Sequence, residues 1–502
     1  MKKRITTTNI VFSLLLHLTV IAKGLIVPRI ILGAFGSDIN GLITSLTQFL
    51  NYLSLLEGGV SGVAIASLYA PLAQNDWEKV SGIYAAIDSF FRKIGIIYIA
   101  YAFGVAVVYP LVVKTEFSYD FVFTMTLILA FNLILQYFFS LSYRALLIAD
   151  RRVYYVSLAE IIATVLNLVL VIMLERMGCG IRALKLISGF ALLVQPIMYR
   201  IYAERHYRLD RSARPSEEAL SQRWDGFGQN LAYYIHSNTD VIILTLFSTL
   251  ANVSIYSVHI MVCNALRGLL EGIGNGFAPT LGNALVTRTE KEVNGMFDRY
   301  AFALALISTY LFTNAIILIQ PFISVYTYGI HDAVYRQPLF AIILLLAESM
   351  YCFRGPYIGV VFNAGHFRQT KHIAYMEAGI NLAISLILVR PFGLAGIGLG
   401  TLVSILYRTI AHVVYLKNNI LHRQISKFMK SLFVFYGAGV ACVFSYMFLL
   451  DRGASVETWR QWILTAIISG IYSGVFFTAA GVIFYRRETQ EFLERLPFFR
   501  KS

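Results

Sequence analysis

A chain of 502 residues that is 57% hydrophobic and only 14% charged holds more apolar surface than a soluble fold of its size can bury, and its mean hydropathy of +0.66 agrees. This excludes an ordinary soluble enzyme and points to an all-α integral membrane protein. The net charge of +14 then becomes a matter of topology and anionic lipid, and gives no support to nucleic acid as a partner.

Taken in chain order, about fourteen apolar windows are each long enough to cross roughly 30 Å of hydrocarbon as a helix. They lie near residues 9–33, 41–70, 87–113, 119–143, 154–174, 184–203, 226–247, 253–285, 300–326, 337–362, 370–389, 395–416, 428–450 and 459–485. The basic opening, Met1 to Arg4, imitates the start of a signal peptide. Apolar character nevertheless continues past Lys23 to Leu32, which makes this stretch the first span. With the N-terminus on the cytoplasmic side, connections on that side hold 30 Lys and Arg and those opposite hold 9, while Lys23, Arg267 and Arg354 fall within spans. Both termini are therefore expected in the cytoplasm. No connection is long enough for a soluble domain. Cys179, Cys263, Cys352 and Cys442 are isolated from one another, without the paired spacing of a metal or redox motif.

An internal repeat organises the spans. A shift of about 214 residues places Leu55-Leu56-Glu57-Gly58 on Leu269-Leu270-Glu271-Gly272, "FGSDIN" (35–40) on "FSTLAN" (247–252), Asn51 on Asn264 and "EKVSGIY" (78–84) on "KEVNGMF" (291–297). Asn167 and Asn381 stand 11 and 12 residues before the turn glycines Gly178 and Gly393. Such a series indicates duplication. Six spans per copy return the chain to the same side, so the copies are parallel, related by a pseudo-twofold along the membrane normal around a central cleft. The expected organisation is an N-terminal lobe over 1–203, a polar cytoplasmic linker over 204–224, a C-terminal lobe over 225–416, and two extra helices with a cytoplasmic tail over 417–502.

Two six-helix lobes plus two helices, with "FGSDINGLITSLTQFLNYLSLLEGGVSG" (35–62) near the start and "FGLAGIGLGTLVSILY" (392–407) closing the second lobe, resemble the multidrug/oligosaccharidyl-lipid/polysaccharide (MOP) exporter superfamily. Within it the chain is most similar to the polysaccharide branch of O-antigen and capsule repeat-unit flippases. The resemblance implies a multi-pass protein of the bacterial cytoplasmic (inner) membrane that works as a monomer. It would move undecaprenyl-pyrophosphate-linked oligosaccharide from the cytoplasmic to the periplasmic leaflet by alternating access, without enzymatic chemistry.

An ionisable group at mid-span costs roughly 2.5–3.5 kcal/mol on insertion scales and is expected to face a partner or a wet cavity. Arg267 precedes Glu271 by four residues, the spacing of a helical ion pair. Glu57 has Leu53 at the corresponding place, which leaves Lys23 on the first span as its expected cation. Each lobe would thus present one base and one acid, with Arg29 and Arg354 nearer the mouths. Under the resemblance, Lys23, Arg29, Arg267 and Arg354 would take the pyrophosphate by charge-assisted hydrogen bonds, while Glu57 and Glu271 order the bases in the empty site.

Ion coupling has its own candidates. His236, Asn238 and Asp240 interrupt the seventh span, and the resemblance extends to a sodium site of the lipid II flippase branch, which would fall on Asp240, Asn381 and Thr401. That pattern wants a further acid where this chain has Ser385, and Glu377, one turn before Asn381, would have to substitute. Proton coupling through Asp240 with His236 nearby is the competing expectation. His17 and His259 read as structural, and Glu160 and Glu348 sit inside spans without an assigned role. The glycines at 58, 59 and 62 and at 272, 274 and 276 suit hinges or close packing, and Pro28 and Pro321 suit kinks. Two other functions stay open. A cation-coupled multidrug exporter of the same superfamily would want an acidic, aromatic pocket. A membrane glycosyltransferase or polymerase would want a long external loop or an Asp-x-Asp motif.

Overall fold

The computed structural model describes residues 2–57, 60–210, 212–216, 238–450 and 456–493, and among them every regular element is helical. Eleven helices are long and apolar enough to cross a membrane, and side chains such as Ile96, Leu111, Ile471 and Phe448 stand more than half exposed on their outer faces. Apolar surface on this scale needs lipid as its solvent, so the chain is a multi-pass membrane protein. Three departures from simple spans account for the fourteen expected windows. The second window is a helix broken at residues 52–57, the eleventh and twelfth share the doubled helix of residues 367–419, and the seventh begins outside the described residues.

Helix packing divides the chain into two compact units, Met1–Ser254 and Ile255–Ser502. The first opens with α1 (Lys2–Phe35), which carries Pro28 within it. Gly36, at φ 85°, turns the chain into α2 (Ser37–Asn51). There the helix tightens into a 3₁₀ turn, Tyr52–Glu57, before α3 (Val60–Gln74). Leu55-Leu56-Glu57 of the first motif thus lies in a 3₁₀ turn, whereas the second motif lies inside one long helix, α11 (Leu250–Thr287). The repeat preserves the residues but not their backbone.

Asp76 caps α4 (Trp77–Val112) by accepting from the Lys79 backbone N–H at 3.1 Å. Its hydrogen bonds from the Lys79 side chain and backbone hold the Asp76 carboxyl below the usual carboxylate range. α5 (Tyr119–Phe139) runs along α4, and α6 (Leu141–Ala149) follows after Ser140. α7 (Val153–Arg176) lies along α1 and turns at Gly178, φ 71°, into α8 (Ile181–Phe190) and α9 (Val194–His206). Beyond α9, Tyr207 donates to Asp150 and the Asp210 backbone N–H to Ser81, so the described part of the linker lies against the first unit.

The packing boundary falls after the linker because α10 (Asn238–Phe247) is bound to α2 by a ladder of polar contacts. The Asn40 amide donates to Ser254 at 2.8 Å, the Ser45 and Thr245 hydroxyls are 2.7 Å apart, Gln48 donates to Asn238, and Tyr52 bonds Thr239. Gly41 permits the approach, since a Cβ there would lie 1.9 Å from the Leu250 carbonyl oxygen. Polar side chains at such spacing are costly in hydrocarbon unless they find one another.

The second unit continues with α12 (Glu290–Tyr326), α13 (Pro338–Phe353) and α14 (Gly355–Asn363). α15 (Phe367–Asn419) spans 53 residues, far more than one crossing needs, and it is a hairpin of two helices broken at Gly393, whose φ of 53° and ψ of −127° are non-helical. Its arms touch through residues placed symmetrically about that glycine. A Cβ at Gly396 would lie 2.3 Å from the Leu388 carbonyl oxygen, and one at Gly400 would lie 2.2 Å from the Ser385 hydroxyl. The same device recurs in the first unit. The Asn167 amide donates to the Ser188 carbonyl across Gly178, and the Asn381 amide donates to Thr401 across Gly393. Ser188 and Thr401 differ by 213 positions, so the repeat read from sequence reappears as a matched pair of clamps. The two further helices, α16 (Ile425–Leu449) and α17 (Trp459–Phe484), pack on α12, where Asn314 donates to Ser473 at 2.7 Å. The short α18 (Arg486–Leu493) follows.

Gly400→Val should force the α15 arms apart and destabilise the protein by about 1–3 kcal/mol, the usual cost of overpacking. Gly379→Ala, with nothing within 4 Å of the added carbon, should instead gain about 0.5–1 kcal/mol. Thermal unfolding of the detergent-solubilised variants checks both signs.

Candidate functional site

The intramembrane charges fall into one group in the first unit and a larger one in the second. In the first, Glu57 ends the 3₁₀ turn and accepts a hydrogen bond from Tyr137, with the Arg144 charge nearby. Arg144 is itself bonded to Glu160 at 3.1 Å, and Tyr199 also donates to Glu160, which gives that unassigned acid its role. The expected Lys23–Glu57 pair is therefore replaced. The break at Tyr52–Glu57 turns Glu57 to α5, and Tyr137 satisfies it.

Lys23 has a different neighbour. On α1, half-buried, it lies close enough to Lys185 on α8 for the second ammonium to feel the first. Among the described residues neither lysine has a hydrogen-bond or ion-pair partner. Half-buried ammonium groups among apolar helices are poorly solvated, and an anion would relieve that cost. Lys185 was missed from sequence because it stands at the edge of the sixth window and counted with the outer loop. Arg29, one turn from Gly33, lays its guanidinium back over that glycine, where an added Cβ would lie 2.9 Å from it.

In the second unit Arg267 on α11 is held at 3.6 Å from Glu271 and at 3.4 Å from Glu348 on α13. The expected helical pair is present, and Glu348 joins it as an acid that sequence left without a role. Arg354, expected near a mouth, is buried. It sits where Pro356 interrupts the helix between α13 and α14, and it is 1% exposed. Its guanidinium donates to Glu377 at 2.6 Å, and Arg408 donates to the other oxygen of the same carboxylate. Both oxygens of Glu377, expected as a substitute acid in an ion site, are thus engaged by arginines. The guanidinium groups of Arg267 and Arg354 each stand over the ring of Tyr351, at 4.9 and 4.7 Å. The result is a continuous charged network from α11 through α13 to both arms of α15.

One turn from Glu377, Asn381 and Thr401 meet at 3.1 Å, as the sequence paired them. The Asn381 carbonyl oxygen and the Ser385 hydroxyl are buried without hydrogen-bond partners among the described residues. Asp240 lies in the first unit on α10, 4% exposed, and His236 lies outside the described residues. Asn381 and Ser385 supply neutral oxygens, the donor type that hard cations accept, whereas the nearby carboxylate of Glu377 is already held by two arginines.

No protein-family model and no curated protein sequence matches the chain. Solved structures do. Lipid II flippase MurJ in an inward closed conformation superposes with a TM-score of 0.73 at 15% identity, covering 95% of this chain and 99% of that one. An inward-facing multidrug resistance MATE family transporter of the MOP superfamily gives 0.62 at 14% identity over 80% of this chain and 94% of its own. The MATE multidrug transporter DinF-BH gives 0.58 at 15% identity over 84% and 97%. The chain shares the fold of these transporters, which is the fold that the resemblance implied.

Replacing a buried charge in the network tests its energetics. Glu377→Gln leaves Arg354 and Arg408 sharing a neutral amide, and the fold should lose about 3–5 kcal/mol. A lowered thermal midpoint in detergent, with less monodisperse protein recovered, is the expected result.

Proposed function

We propose that the chain is a flippase for an anionic, lipid-linked oligosaccharide. In this reading it carries undecaprenyl-pyrophosphate-linked repeat units, of the O-antigen or capsule type, from the cytoplasmic to the periplasmic leaflet of a bacterial inner membrane. The observation that carries the proposal is that Lys23 on α1 and Lys185 on α8, both half-buried, have no carboxylate partner among the described residues. A pyrophosphate supplies the missing charge and several acceptor oxygens at once. Arg267 offers the second unit's accessible cation, its side chain 20% exposed. A multidrug exporter for organic cations gains nothing from like-charged bases, which raise the cost of a cationic cargo.

The lipid tail needs a separate, apolar seat. The second unit has an apolar cavity of about 360 Å³ between α12, α13 and α16, lined by side chains including Phe312, Leu346, Phe435, Val443 and Met447, which suits a branched hydrocarbon chain. Transport is then conformational, with no bond made or broken, and one polypeptide suffices as a monomer. Energy coupling by sodium or protons would engage Asp240 in the first unit or, separately, the neutral oxygens of Asn381 and Thr401 in the second.

Flipping of a fluorescent undecaprenyl-pyrophosphate oligosaccharide in proteoliposomes tests the proposal. Lys23→Ala and Lys185→Ala should each lower the initial rate by roughly tenfold, the scale of one lost charge-assisted contact of about 1.5 kcal/mol. Wild-type protein that leaves the lipid in place while extruding organic cations would overturn it.

A further inference from the structure

We infer that Glu348 and Tyr351 are positioning residues that transmit occupancy of Arg267 to the α15 hairpin, by way of Arg354 and Glu377. The inference rests on the reading that an anionic cargo engages Arg267, and it adds a route by which the cargo would be felt elsewhere in the unit.

The network grades from accessible to sealed. The side chain of Glu271 is 50% exposed, that of Arg267 20%, that of Glu348 7% and that of Glu377 not at all. Contacts are continuous along this gradient. Arg267 bonds Glu348, both Arg267 and Arg354 stand over Tyr351, and Arg354 bonds Glu377. Glu377 belongs to one arm of α15 and Arg408 to the other, so their bond ties the hairpin, and Asn381 with Thr401 is the next polar tie toward its turn.

Two details make this arrangement switchable rather than a fixed staple. Glu348 lies within electrostatic reach of both Arg267 and Arg354. Arg354, which commits a terminal nitrogen to Glu377, keeps its Nε–H buried with no acceptor among the described residues. An anion arriving at Arg267 competes with Glu348 for the same guanidinium. A carboxylate displaced in a low-dielectric interior cannot stay unpaired, and the unused Nε–H of Arg354 is a donor already within its field. Recruiting it draws Arg354 toward Glu348 and loosens its hold on Glu377. The Glu377 carboxylate then leans more heavily on Arg408, and the tie between the arms shifts with it. Tyr351 keeps the two guanidinium groups over one ring, so a shift in either is felt by the other. A network that merely braces the unit would leave the hairpin indifferent to cargo.

The experiment is amide hydrogen exchange across residues 377–408 of the full chain in detergent, with and without undecaprenyl pyrophosphate, beside a direct measurement of lipid binding. In wild type, lipid should change exchange in the hairpin by about fivefold or more, the lower range of allosteric coupling. Glu348→Gln and Tyr351→Leu should bind the lipid at least as tightly yet lose that response. A wild-type hairpin unmoved by bound lipid, or variants that respond as wild type does, would overturn the relay while leaving the anionic cargo in place. Absence of lipid binding to wild type would overturn the cargo reading on which the relay rests.

Discussion

A single carboxylate with no exposed surface, Glu377, holds two guanidinium groups inside the second unit, and much of that unit is arranged to make the grouping tolerable. Burying one carboxylate with two cations is unfavourable unless every charge finds partners close by. Pro356 ends a helix so that Arg354 stands at the break. The glycines of α15 bring its arms near enough for Arg408 to reach the carboxylate on the other arm. Tyr351 supplies a ring to two guanidinium groups, and Glu348 adds the outer negative charge. The hairpin is therefore held by charge as well as by close packing.

The first unit solves the same problem in another way. Its acids are quenched by tyrosine hydroxyls and one arginine, with Tyr137 on Glu57 and Tyr199 and Arg144 on Glu160. Two of its bases, Lys23 and Lys185, have no carboxylate partner among the described residues. Duplication has thus kept the helical frame and the asparagine clamps while the charges diverged. The second unit pairs its cations internally; the first keeps two for something else.

Much of the frame was legible in the sequence because hydropathy and repetition are local or periodic signals. The turn glycines Gly178 and Gly393 and the asparagines before them were legible as matched features of the repeat, while the clamps they form across each turn were not. The Arg267–Glu271 pair was legible for the same reason, being one helical turn long. Partners that depend on helix rotation were not. Arg354, Glu377 and Arg408 are separated by 23 and 31 positions, and nothing in the sequence says which faces of their helices meet. Glu57 was assigned to Lys23 because Leu53 left it without a local partner, and the 3₁₀ turn that carries Glu57 to Tyr137 has no signature in the sequence YLSLLE. Lys185 was hidden by its place at the edge of an apolar window.

The central claim is that the cargo is an anion. Native mass spectrometry of the detergent-solubilised protein, exposed in parallel to undecaprenyl pyrophosphate and to tetraphenylphosphonium, asks this most directly. An anion carrier should retain a one-to-one adduct with the pyrophosphate lipid, lost when Lys23 and Lys185 are both replaced by alanine, and none with the organic cation. Retention of the cation and not the lipid would contradict it.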